Sequence, residues 1–135
     1  MTSIEQIPPH LTHRLRRDVM YPGKNIFEME MEEDADGIHF GAFRDDKLVG
    51  VVSLFQQGTD FQFRKLAVNL LFQKMGIGNS LLKQVTVYAR ENGGTRLWCN
   101  ARVFAIGFYL KAGFLQTGKF YSKNGIDYEV MEKAI

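Results

Sequence analysis

Apolar and polar positions along this chain follow two rhythms, one helical and one alternating. Residues 77–90 place Ile77, Leu81, Leu82, Val85 and Ala89 on one face, with Asn79, Lys83, Gln84 and Arg90 mostly elsewhere, and predict an amphipathic helix. Asn92, Gly93 and Gly94 end it, as helix C-termini favour glycine. Leu11, Leu15 and Val19 recur every four residues, with Arg14, Arg16, Arg17 and Asp18 on the other faces, so 11–20 predict a second helix. Tyr21, Pro22 and Gly23 stop it. Residues 38–43 and 48–55 read as strands joined by the polar turn 44–47. Residues 56–60 lead into a third strand, 61–71, and 96–99 form a short fourth. Asn100 suits the N-cap of a helix over 101–112, which Gly113 closes. Residues 114–121 and 126–132 flank an Asn124–Gly125 turn as a final hairpin.

The order is helix, hairpin, strand, helix, strand, helix, hairpin. The strand–helix–strand unit in the middle demands a parallel pair, while the hairpins are antiparallel. The expectation is an α+β (mixed α/β) fold: a mostly antiparallel central sheet with a central βαβ crossover and flanking helices, one domain over 1–135. Between the first helix and first hairpin lies an acidic stretch, Glu28, Glu30, Glu32, Glu33, Asp34 and Asp36, with Phe27, Met29 and Met31 interleaved. Its pattern fits either a loop or a short surface helix.

Composition narrows the classes. With 135 residues, 45% hydrophobic content and 11 phenylalanines, the chain suits one domain with a real core. A net charge of +2 without a dense Lys/Arg stripe gives no case for nucleic acid. The single cysteine, Cys99, excludes an internal disulfide framework and fits a reducing compartment. His10, His13 and His39 are too scattered for a zinc site, so no metal is expected. No signal-peptide pattern or long apolar run stands out, so the expected setting is cytoplasmic, without a membrane partner.

The chemistry concentrates at Gln73, Lys74, Met75, Gly76, Ile77 and Gly78, between the third strand and the long helix. A helix N-terminus offers free backbone N–H groups and a favourable dipole to an anion, and glycine permits close approach. A phosphate-bearing cofactor is one reading; a tight strand-to-helix turn is the other. The Gly-Lys-Ser/Thr ending of a mononucleotide loop is absent, as is the third glycine of a dinucleotide fingerprint.

Two motifs then point one way. Leu66, Ala67 and Val68, followed by Gln73-x-x-Gly76-x-Gly78 and Leu81–Leu82, resemble the acetyl-CoA-binding motif of the GCN5-related N-acetyltransferases (GNAT). Asn100, Ala101 and Arg102, then residues 108–114 (Phe-Tyr-Leu-Lys-Ala-Gly-Phe), resemble that family's second motif, and 15–23 look like its small bacterial members. The resemblance is strong over 48–135.

The resemblance implies an acetyl-CoA-dependent N-acetyltransferase. The strand before the glycine turn would carry a bulge, splay from its parallel neighbour and pair with the pantetheine arm through Leu66, Ala67 and Val68. The amides from Gln73 to Gly78, with Asn79 at the helix start, would cradle the pyrophosphate. Lys74 would add a charge-assisted contact, although an exposed lysine in a turn is equally expected. Asn100 would bind pantetheine or hold substrate, or else serve only as the N-cap. Tyr109 would reprotonate the leaving thiolate; a phenol with a pKa near 10 keeps its proton at neutral pH. Packing beside Phe108 is the plainer role for that ring. A backbone N–H near Val68 would polarise the thioester carbonyl.

The general base is where the chain departs from the family pattern. Phe61, Gln62, Phe63 and Arg64 stand where many members carry a glutamate, with Asp60 at the start. A water relay, Glu28, Glu30 or His39 are the substitutes. Cys99 reads as a buried strand cysteine rather than an acyl carrier, since no histidine adjoins it. The acceptor would be a small-molecule or peptide amine. If the acidic stretch faces it, a cationic amine such as a polyamine, an aminosugar or a lysine side chain is favoured. The resemblance also allows a homodimer. Two other classes compete: a non-catalytic acyl-CoA-binding module, and an interaction protein whose groove is filled by side chains.

Overall fold

The computed structural model describes residues 1–135. Seven strands form one sheet: β1 (Thr2–Ile7), β2 (Ile38–Arg44), β3 (Lys47–Gln57), β4 (Asp60–Val68), β5 (Arg96–Arg102), β6 (Leu115–Lys123) and β7 (Ile126–Ala134). Their spatial order is β1-β2-β3-β4-β5-β7-β6. Every neighbouring pair is antiparallel except β4–β5, which the long helix α2 (Ile77–Glu91) connects. The mostly antiparallel α+β sheet with a central crossover is therefore the observed architecture.

Two of the three tight hairpins follow from paired turn residues that tolerate a left-handed backbone. Asp45 and Asp46 (φ 50° and 63°) join β2 to β3, and Asn124 and Gly125 (φ 52° and 76°) join β6 to β7. Two successive positive-φ residues make a turn whose twist matches that of paired strands.

The core lies between one sheet face and α2. Leu81, Val85 and Ala89 are fully buried against Phe40, Ala42, Val49 and Val52, the stripe that the helical rhythm predicts. Burying each leucine, valine or phenylalanine of this set contributes about 1.5–3 kcal/mol. The helix stops in a Schellman arrangement: Gly94 N–H donates to Ala89 and Gly93 N–H to Arg90, with Gly93 at φ 81°. A smaller cluster of Ile7, Leu15, Val51 and Ala67 occupies the opposite face.

Several sequence expectations need correction. β1 was absent from the pattern reading, because an edge strand with only Ile4 and Ile7 as apolar residues carries little alternation. The helix expected over 11–20 is three short pieces: a 3-10 turn (Pro9–Thr12), α1 (His13–Leu15) and a π turn (Arg16–Met20). Changing residues per turn breaks the four-residue stripe, so Leu15 is buried while Leu11 is exposed. The acidic stretch forms two 3-10 turns, Ile26–Met29 and Glu32–Asp36. The third strand ends at Val68, and Asn69 then caps a 3-10 turn (Leu70–Phe72) by accepting from Leu71 N–H. Asn100 is no N-cap: β5 runs through it to Arg102, and α3 (Ile106–Lys111) follows a further 3-10 turn.

A buried polar network ties the acidic stretch to the sheet. Arg16 is 1% exposed, and its guanidinium donates to both oxygens of Asp34 at 2.8 and 2.9 Å, to the Met29 carbonyl at 2.9 Å and to Ser53 Oγ at 2.8 Å. Ser53 in turn donates to His39 Nδ1 at 2.7 Å, and His39 Nε2–H donates to the Asp34 carbonyl at 2.9 Å. This pattern is satisfied by the neutral Nε2–H tautomer of His39.

Candidate active site

The site originates in a mismatch between two strands. β4 and β5 pair only over Asp60–Gln62 and Arg96–Trp98, then part, although β4 stays paired with β3 to Val68 and β5 with β7 to Arg102. The cause is local. The β3–β4 register slips between Val51 and Ser53, and Lys65 holds φ 56° inside β4. A left-handed non-glycine residue in a strand costs about 1–3 kcal/mol and bends the strand. The freed edges open onto a cleft of about 1070 Å³.

One end of the cleft is the start of α2. Gly76 occupies the N-cap at φ 81° with no side chain capping the helix, so the first-turn amides keep their donor capacity. A Cβ at Gly78 would sit 3.3 Å from the Phe108 ring of α3, close enough that the ring would have to give way by a few tenths of an ångström. The Gln73 side chain donates to the Val68 carbonyl at 3.0 Å and fixes the turn to the strand end.

Of the residues singled out in the sequence, Leu66, Val68, Gln73, Lys74, Gly76, Ile77, Gly78, Asn79, Asn100 and Tyr109 line this one cleft. Two do not present side chains to it. Ala67 is buried in the cluster on the other sheet face, and Met75 Sδ accepts from Arg44 at 3.3 Å. Tyr109 packs among Phe63, Phe108 and Phe114, with ring centroids 5.7, 5.2 and 5.9 Å away. Burial, with Cys99 nearby, pushes its phenol above the ordinary value of 10, and Arg102 offsets this only in part. Cys99 also lines the cleft, but burial pushes its thiol up to about 12, so it carries no thiolate at neutral pH.

The candidate bases fare differently. His39 is enclosed in the network described above, and Asp60 faces Arg96 at 3.4 Å in a separate hollow. Glu30 lies off the cleft. Glu28 alone among the carboxylates lines it, and its Oε2 accepts from Asn25 N–H at 2.9 Å. The acidic stretch therefore does not face the acceptor end as a group: Asp34 binds Arg16, and Glu33 pairs with Arg64. Burial alone would raise the Asp34 carboxyl, but the Arg16 and Met31 hydrogen bonds and the Arg16 charge hold it below its usual range.

Among the cleft residues that sequence reasoning missed are Tyr21, Lys65 and Arg102. Lys65 Nζ donates to the Tyr21 hydroxyl and lies 4.6 Å from its ring centroid; the Arg102 guanidinium carbon is 5.6 Å from the same ring. Burial alone would raise the Tyr21 phenol, but the Lys65 hydrogen bond, the charges of Lys65 and Arg102, and the close approach of the Arg102 guanidinium to the hydroxyl bring it below 10. They come from the π-turn end, the bulge and the end of β5, and no local pattern links them.

A family model described as "Acetyltransferase (GNAT) domain" matches residues 15–135. The chain belongs to the GNAT acetyltransferase family. It is 27% identical to YitI, an uncharacterized N-acetyltransferase of Bacillus subtilis (strain 168), over all of this chain and 97% of that one. Its fold is similar to that of a candidate N-acetyltransferase from Lactobacillus plantarum (TM-score 0.87, 19% identity, 98% of this chain and 97% of that one). It is also similar to a GNAT family acetyltransferase from Elizabethkingia anophelis with acetyl-CoA bound (TM-score 0.75, 20% identity, 99% and 98%). Acetyl-CoA is the co-substrate of this family. No helix of this GNAT protein is long and apolar enough to cross a membrane.

Proposed function

We propose that this GNAT protein moves the acetyl group of acetyl-CoA to the nitrogen of an amine acceptor, with Tyr109 as general acid. The observation that carries this reading is one cleft bordered by a freed strand edge, an uncapped helix N-terminus and a protonated phenol. These features suit three parts of the co-substrate. The edge at Leu66, Ala67 and Val68 suits the amides of the pantetheine arm, as an added strand would. The amides from Gln73 through Met75 to Gly78, with Asn79 and the Lys74 ammonium, suit the pyrophosphate. Asn100 offers an amide from the opposite wall.

The chemistry needs little else. The amine lone pair attacks the thioester carbonyl carbon, a C–N bond forms and the C–S bond breaks. The proton of Tyr109 goes to the leaving sulfur, the nitrogen loses its surplus proton to solvent in the open cleft, and the phenolate takes a proton back from solvent to close the cycle. Holding amine and thioester side by side supplies much of the acceleration. The phenol stays protonated at neutral pH, so it can act there as a donor and not as a base.

The test is a pair of measurements. Isothermal titration with acetyl-CoA should show binding by the wild type and by Tyr109→Phe alike. Acetyl transfer to amines should fall by about 100-fold or more in Tyr109→Phe, within the usual range for loss of a general acid. Equal turnover in the variant would remove Tyr109 from this role. Binding without transfer to any amine would favour the acyl-CoA-binding module, for which the shortage of carboxylates in the cleft is the specific motive.

A further inference from the structure

The cleft as a whole has a charge that the acidic stretch does not predict. Lys24, Arg64, Lys65, Arg102 and Lys123 all line it, against Glu28 as its one carboxylate. Arg64 is neutralised by Glu33. Arg102 is not neutralised by any carboxylate. Its Nε and Nη2 are buried and neither has a hydrogen-bond partner. Those two nitrogens form one side of the guanidinium, the side whose parallel N–H groups fit the two oxygens of a carboxylate. Arg102 as a whole is half-buried, and two covered guanidinium nitrogens without a partner are costly unless something completes them. Tyr21 lies against this group, and its oxygen already accepts from Lys65, which leaves the phenol proton free to turn toward a further acceptor atom.

We propose that the amine acceptor carries an oxyanion, a carboxylate foremost, which docks on the unpartnered side of Arg102 beside Lys65 and Tyr21. The inference rests on the transferase reading above and names the substrate class for the same site. It replaces the cationic amine suggested by the acidic stretch. A polyamine or aminosugar would bring its positive charge against Arg102 and Lys65 with only Glu28 to balance it. An amino acid, or an amine bearing another oxyanion, leaves its amine for the thioester while its charged end completes the guanidinium.

The test compares matched acceptors. Amino acids are set against their carboxamides, phosphoethanolamine against ethanolamine, and spermidine serves as the cationic control. The expected result is higher kcat/KM for the oxyanion member of a pair. Arg102→Gln should lower that value by roughly 100-fold, the loss of a bidentate charged contact, and leave acetyl-CoA binding unchanged. Arg102→Lys keeps the charge without the fork and should fall between. Preference for the phosphate pair alone would reassign the docking group from carboxylate to phosphate and overturn the narrower form. Equal use of amides, or spermidine as the preferred acceptor, overturns the proposal.

A second arm reads recognition without chemistry. N-acetylated amino acids and their amides, as product analogues, are titrated into the complex with CoA. Carboxylate-dependent binding that Arg102→Gln abolishes supports the proposal even if no amine is turned over, in which case only the transferase reading fails. Binding indifferent to the carboxylate sinks the proposal while leaving the Tyr109 test untouched. Should Arg102→Gln fail to fold, Lys65→Asn reads the same preference, since asparagine tolerates the positive φ at that position.

Discussion

At the scale of single residues, the molecule separates charges that stabilise from charges that await a ligand. Asp34 is of the first kind. It is 4% exposed and paired in a fork with Arg16. Asp34→Asn removes the charge that compensates a buried guanidinium, and should destabilise the fold by about 3–5 kcal/mol in denaturant unfolding. The pH dependence has a definite sign. The Asp34 carboxyl is depressed in the folded state, so its contribution is fully present above the unfolded value of about 4 and is lost as pH falls through the folded one. Wild type should therefore lose more stability than Asp34→Asn on acidification below about pH 4. An identical acid profile would assign the network no role. Arg102 has the opposite arrangement: it lines the cleft with no carboxylate beside it, and its Nε and Nη2 have no hydrogen-bond partner.

At the scale of elements, the uncapped start of α2 allows stability and binding to be pulled apart. Asn79 is exposed in the first turn, where a carboxylate is favourable to the helix dipole by about 0.3–1 kcal/mol. Asn79→Glu should thus melt no lower than wild type. The same charge opposes a pyrophosphate, and acetyl-CoA affinity should fall by at least about tenfold, or 1.4 kcal/mol. Unchanged affinity would move the pyrophosphate away from this helix. Gly78→Glu is a poorer probe, because any Cβ there presses on Phe108 at 3.3 Å.

Elements also show what a sequence discloses. α2, the β2–β3 and β6–β7 hairpins and the crossover were legible because each obeys one period and ends in glycine, asparagine or aspartate. The first helix was not, since passing from 3-10 to α to π shifts every residue after Thr12 off a fixed stripe. Arg16 looked like a surface charge, and only a partner in the acidic stretch explains its burial. The glycine turn and Tyr109 were legible because their motifs are short and contiguous. Tyr21, Lys65 and Arg102 were not, because a site assembled across a splayed sheet leaves no spacing in the chain.

At the scale of the whole molecule, the sheet consists of two antiparallel halves, β1–β4 and β5–β7, joined through three residue pairs of parallel strand. Beyond Gln62 and Trp98 nothing in the ladder ties one half to the other. A co-substrate lying in the opening would hydrogen-bond to one freed edge while contacting both walls, and so would act as part of the sheet. Mass action sets the size of the effect. At 100 times the dissociation constant a ligand of the folded state adds about 2.7 kcal/mol, which for a domain of this length raises Tm by roughly 10 °C. The distribution of that gain is the sharper prediction. Hydrogen exchange should slow most at the amides of Leu66 to Val68 and of Gly76 to Asn79, and little at β1, which lies at the far edge of the sheet. Uniform protection would instead describe a ligand that stabilises the fold without entering the gap. Protection confined to the helix start would place the pyrophosphate there but remove the added-strand pairing along β4. The exchange pattern therefore distinguishes an anion bound at a helix end from a co-substrate that completes the sheet.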